Sequence, residues 1–242
     1  MLFYVTSRND CDKVILRLDM EKESFFKRYL VFVLGLYFLS AGIVLIVHSS
    51  LGTTPISSVN YVLSINTPLS LGTWTFIINM ILILGQFWLI RGRGTRRDVF
   101  EILLQVPFSF IFSAFIDLNM YLAKDVVTTN YLASVVLILL GCLIQSIGVV
   151  LEIKPNVTMM SAEGFVKYAS SRYAKDFGST KVVFDSSLVA CAVIVSLIMA
   201  QRIEGVREGT VIAACITGYI VRFLSTKVMT RRRLSQVVSL IR

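Results

Sequence analysis

The feature that most constrains this chain is a run of 62 residues, 29–90, without one Lys, Arg, Asp or Glu. A surface helix of a water-soluble domain carries charges on its outward face, so a stretch of this kind is written for lipid. It opens with an apolar segment (29–48) and passes through Leu51-Gly52-Thr53-Thr54-Pro55, a short mixed segment (56–65) and Ser70-Leu71-Gly72-Thr73. It closes with a second apolar segment (74–90). Two membrane-crossing helices joined by a long uncharged connection are expected.

Composition agrees. Apolar residues make up 55 % of the 242 and charged ones 16 %, against roughly a quarter charged in ordinary globular chains. The net charge of +9 suits a nucleic-acid binder in sign but not in placement. The basic residues cluster at the ends of apolar runs, where they act as topology signals, so the bilayer rather than DNA or RNA is the expected partner. No cleavable signal peptide is legible in residues 1–28, and Met20 is an alternative start.

Six spans are expected, at about 29–48, 74–90, 99–122, 131–151, 182–201 and 210–229, each near the roughly 20 residues that a hydrocarbon layer of about 30 Å requires. With the N-terminus inside, the cytoplasmic side collects twenty of the 24 Lys and Arg and the outer side three, Lys124, Arg202 and Arg207; Arg222 lies within the last span. The excess of inner positive charge puts both termini in the cytoplasm.

The chain also repeats itself. Shifted by 106 residues, Gly35 falls on Gly141, Gly42 on Gly148 and Gly72 on Gly178, and six of twelve positions in 34–45 are identical. Asn79 falls on Asp185 and His48 on Lys154. The expected fold is therefore all-α, a polytopic membrane protein with six transmembrane helices as two inverted three-helix repeats (29–123 and 131–229). A cytoplasmic segment (1–28) precedes them and a basic tail (230–242) follows. Three spans per half mean that the halves enter the membrane from opposite sides, an architecture of secondary transporters. Short helices are expected in both long connections, over 56–65 and 162–173. The first of them, uncharged, is expected to dip into the membrane.

Polar groups within spans are costly and single out candidate solute-binding residues: Asn79, Gln86, Gln105, Asp117, Glu163 and Asp185, with Lys181 as a counter-charge. Asp117 and Asp185 are the first choices for a titrating or coordinating carboxylate. Each has a structural alternative. Asp185 stands four residues after Lys181, the spacing of a helical salt bridge, and Asp117 lies near an outer span end. Gly-Thr and Gly-Ser pairs at 52–53, 72–73, 178–179 and 209–210 suit helix capping, with exposed N–H groups for an anionic or carbonyl-bearing solute as the functional alternative. The paired glycines of the first and fourth spans suit close helix packing. The four cysteines have no disulfide or zinc spacing. No nucleophile–base, metal or cofactor motif is present, so neither an enzyme nor a cofactor is expected.

The strings LGTTP, SLGTWTFIINMILILGQ, QVPFSFIFSAFID, AEGFV, FGSTKVVFDSSLV and EGTVIAACITG together resemble the YczE/YyaS/YitT group of bacterial integral membrane proteins, nearest its YczE-like branch. The resemblance covers about 30–225 and implies a bacterial cytoplasmic-membrane protein, commonly described as a membrane protein or transporter without a settled substrate. No proline of the second half stands opposite Pro55. Two functions follow as expectations: carriage of a small solute, coupled to protons or cations, or a non-transporting role as an assembly or regulatory partner.

Overall fold

The computed structural model of the protein describes residues 25–92, 94–126, 130–155, 157–202 and 205–224. Met20 and the triple-arginine tail lie outside the described residues, as does the side chain of Arg222. The described residues form eight helices and no strand: α1 (Phe25–His48), α2 (Pro55–Asn66), α3 (Leu71–Ile90), α4 (Arg96–Leu122), α5 (Tyr131–Ile153), α6 (Ser161–Tyr173), α7 (Phe177–Ala200) and α8 (Glu208–Phe223). Five of them (α1, α3, α4, α5 and α7) are long and apolar enough to cross a membrane. The sixth expected span, 210–229, is described only to residue 224, and its apolar part runs over Ile212–Val221.

Local chemistry sets the boundaries. Pro55 opens α2 at a position where its missing N–H costs nothing. Ser70 caps α3 by accepting from Thr73 N, Thr95 and Asp98 form a reciprocal capping box on α4, and Asp176 caps α7 through Ser179 N. The capping groups of α3 and α7 thus precede the Gly-Thr and Gly-Ser pairs, which lie inside the first turn. α6 begins at Ser161 without a proline, so the second connection breaks as the first does by other means.

The spine is an antiparallel pair, α1 on α5, the most extensive helix contact in the molecule. It is close because four glycines lie in the seam. A Cβ on Gly148 would stand 2.3 Å from Leu39 N, one on Gly42 2.4 Å from Gln145 N, and one on Gly35 2.7 Å from Glu152 N. None of these backbone atoms can yield. Around the spine, α4 packs on α1 and α8 on α5, while α2 bridges α3 and α7, and α6 bridges α3 and α7 as well. Phe32, Leu36, Val44, Phe108 and Phe112 form the main core between α1 and α4, with Phe32 and Phe108 edge to face at 4.7 Å. Cys142 is buried in the spine, whereas Cys191 and Cys215 lie on exposed faces.

Gly148→Val forces apart two backbones in contact, and overpacking of this kind costs about 1–3 kcal/mol or more. It is expected to lower the melting temperature of the detergent-purified protein markedly. Gly218→Ala, with nothing within 4 Å of its Cβ, is expected to leave it unchanged.

Candidate functional site

The two short helices run with their N-termini inward. The first turns of α2 (Thr54, Ile56, Ser57) and α6 (Ser161, Ala162, Glu163) meet at one cavity of about 100 Å³. α3 contributes Thr75 and Asn79, α4 Phe112 and Ile116, and α5 Gln145, Val149 and Glu152. Leu39 and Ile43 of α1 add apolar side chains to the lining.

The connections are pinned so that these tips stay in place. Before α2, Gly209 N donates to Leu51 O at 2.9 Å and Thr53 N to Thr210 Oγ1 at 3.2 Å, fastening that loop to the start of α8. Before α6, Thr158 Oγ1 donates to Glu101 O in α4 at 3.2 Å, and Arg28 of α1 donates to Pro155 O at 2.8 Å.

Polar side chains on the wall are partly satisfied by one another. Ser161 Oγ donates to Asn79 Oδ1 at 2.6 Å. Asn60 Nδ2 donates to Thr75 Oγ1 at 3.2 Å, and Thr75 in turn donates to Leu71 O at 2.8 Å. That relay takes the Asn60 amide nitrogen and leaves its oxygen without a partner in the described protein. Thr54 and Ser57 share a short hydroxyl–hydroxyl contact. The Glu152 carboxylate, 5 % exposed, accepts from Met160 N at 3.3 Å at the start of α6. Three atoms of the lining have no hydrogen-bond partner within the described protein: Asn60 Oδ1, Asn79 Nδ2 and Gln145 Oε1. Their residues are 3 %, 6 % and 9 % exposed. An unsatisfied buried polar atom costs about 1–3 kcal/mol, and three of them gather around one cavity with hydrogen-bonding capacity unmet.

Six of the seven residues singled out from sequence fall into three groups. Asn79 and Glu163 line the cavity. Gln86 and Gln105 sit behind it as a reciprocal amide pair, at 2.8 and 3.0 Å, and Gln86 also holds Ser161 O at 3.0 Å. Gly164 is what lets α6 lie on them, since a Cβ there would stand 2.7 Å from Gln86 Oε1. Lys181 bridges Glu163 at 3.5 Å and Asp185 at 3.0 Å, the spacing of four read from the sequence. Asp117 is apart from all of these. Its carboxylate accepts from Gly72 N at 2.8 Å and Ser70 Oγ at 2.7 Å, holding the start of α3 against α4. Asn60, Gln145 and Glu152 complete the site without having been among the candidates. Ser57 and Asn60 stand three apart on one face of an uncharged short helix, the one sequence signal that points to Asn60. Farther along α6, Tyr168 is buried beside Asp98 and Glu101; burial first, then those negative charges, pushes its phenol up and keeps it neutral.

Residues 26–226 match the family model described as a family of unknown function, DUF6198. The chain belongs to this family. It is also 24 % identical over 194 residues to the uncharacterized protein YyaS of Bacillus subtilis strain 168, covering 80 % of this chain and 90 % of that one, in keeping with the motif resemblance. No solved structure matches the chain. All cavity-lining residues fall within the span matched by the family.

Loss of one glutamine strands the other. Gln86→Leu or Gln105→Leu alone is expected to destabilise by about 1–3 kcal/mol, and the double substitution by clearly less than the sum. Thermal unfolding of the four proteins in detergent measures the cycle.

Proposed function

We propose that this protein is a multi-pass carrier of the bacterial cytoplasmic membrane, moving a small solute through the cavity between the tips of α2 and α6, driven by a proton or cation gradient. The observation that carries the reading is the cluster of three unpartnered buried polar atoms where two short helices meet from opposite ends of the bundle. Broken, inward-pointing helices around a central site are the way transporters present a solute to either side.

The inverted repeat is part of the proposal, and several contacts support it. In the register of 106, the pair Gly35–Gly148 maps onto Gly42–Gly141, and Gly42–Gln145 onto Leu39–Gly148; all four contacts occur. Exchanging the halves also turns α1·α4 into α5·α8, α2·α3 into α6·α7, and α2·α7 into α3·α6, all of which pack. Two crevices flank the short helices, one with Tyr61 and Ile65 of α2, the other with their counterparts Lys167 and Ser171 of α6. The symmetry is partial. Gly72 lies against Ser113 and Asp117 of α4, whereas among the described residues Gly178 has only its own cap, Asp176, within 4 Å. Six spans with both termini cytoplasmic complete the reading, on the distribution of Lys and Arg.

Reconstitution into liposomes tests it. Solute flux is expected, falling about tenfold or more, some 1.4 kcal/mol, in Asn79→Leu and Gln145→Leu. Asp125→Asn, a change at an exposed loop carboxylate, is expected to keep it. No flux with a broad solute panel, together with a stable co-purifying protein, would favour the assembly or regulatory role instead.

A further inference from the structure

We propose that the central cavity takes a small organic cation, an alkylammonium or a group of that size and charge; the inference deepens the carrier reading and rests on it. The unpartnered and acidic side-chain groups of the site are mostly acceptors. Asn60 Oδ1 and Gln145 Oε1 are unpartnered, and Glu152 and Glu163 add two carboxylates to the same wall. Among the described side chains of the lining, Asn79 Nδ2 is the one donor without a partner.

Two features point the other way and are spent elsewhere. Helix N-termini favour anions, but the start of α6 already carries two acidic side chains of its own, Glu152, which accepts from Met160 N, and Glu163 in the first turn. α2 opens on Pro55, which has no N–H, with Ser57 N donating to Thr54 O. The cations near the crevices are likewise engaged: Arg207 donates to Ser50 O, Arg172 to Leu89 O, and Lys167 pairs with Glu101. Lys181 is already paired with Glu163 and Asp185. Lys154 follows Glu152 by two residues, a spacing at which helical side chains diverge.

The shape selects the kind of cation. Among the described residues no three His, Cys, Asp or Glu gather to hold a metal ion. Part of the lining is apolar, Ile43 and Phe112 among it, so a bare ion would lose hydration there without replacement. An ammonium with a short aliphatic body meets both parts of the lining: its N–H groups reach the oxygens and its carbons the apolar side chains.

Thermal stability of the purified full-length protein in detergent, at constant ionic strength, tests this with n-propylammonium, 1-propanol and propionate, three probes of nearly equal size and different charge. A ligand that binds only the folded form raises the melting temperature. Propylammonium is expected to raise it in a saturable way, and the other two are not. Glu152→Gln, which keeps an acceptor for Met160 N–H, is expected to weaken binding at least tenfold. Asn60→Leu, which removes an acceptor without changing charge, is expected to weaken it as well, and Asp125→Asn is expected to leave it alone. Stabilisation by propionate or 1-propanol instead, no saturable effect of propylammonium, or equal binding to Glu152→Gln and Asn60→Leu would overturn the assignment. No gradient is involved, so the two readings fail separately. Propylammonium binding without flux of any solute removes the carrier reading, and flux of another solute without propylammonium binding removes this one.

Discussion

The close approach of α1 and α5 is the contact on which the rest depends. Glycines at 35, 42, 141 and 148 let two backbones meet with no side chain between them. In a bilayer, where apolar association has little water to escape, such packing supplies much of the attraction between helices. It also sets positions. Because α5 is drawn so near to α1, Gln145 and Glu152 stand beside the first turns of α2 and α6 and not out in lipid. A larger residue in the seam would move the polar wall as well as weaken the bundle.

Polarity inside the bundle is distributed by purpose. Several side chains that hold two elements together are satisfied: the Gln86–Gln105 amide pair behind α6, Asp117 at the start of α3, and Asn119 Nδ2 on Ser40 Oγ at 2.9 Å between α4 and α1. Where the tips of the short helices meet, the atoms are left open. The amides behind the wall are satisfied, and three buried polar atoms on it have no partner within the described protein.

Much of the fold was legible in the sequence because hydropathy and glycine spacing are local signals. The short helices expected at 56–65 and 162–173 appear as Pro55–Asn66 and Ser161–Tyr173, and the glycine stripe predicted the helix pair that it holds together. The site was less legible. Asp117 and Asp185 stood out as carboxylates in apolar runs, yet their partners, Gly72 N and Lys181, show one as a cap and the other as half of a salt bridge. Glu152 sits at the end of a span and so looked peripheral; only the return of α6 to the interior buries it. Asn60 lies in a connection, where an amide ordinarily faces water. Both omissions have one cause, that chain segments folding back into the bundle change the meaning of a residue's place along the sequence.

The most direct test of the account is the accessibility of single cysteines at the two helix tips. Ser57→Cys in α2 and Ser161→Cys in α6, each in a chain otherwise free of cysteine, can be labelled with a membrane-impermeant thiol reagent from either side of oriented vesicles. A shared cavity offered alternately to both sides predicts that each position reacts from both. Labelling of Ser57→Cys from the outer face alone and of Ser161→Cys from the inner face alone would mean two separate indentations, and would contradict it.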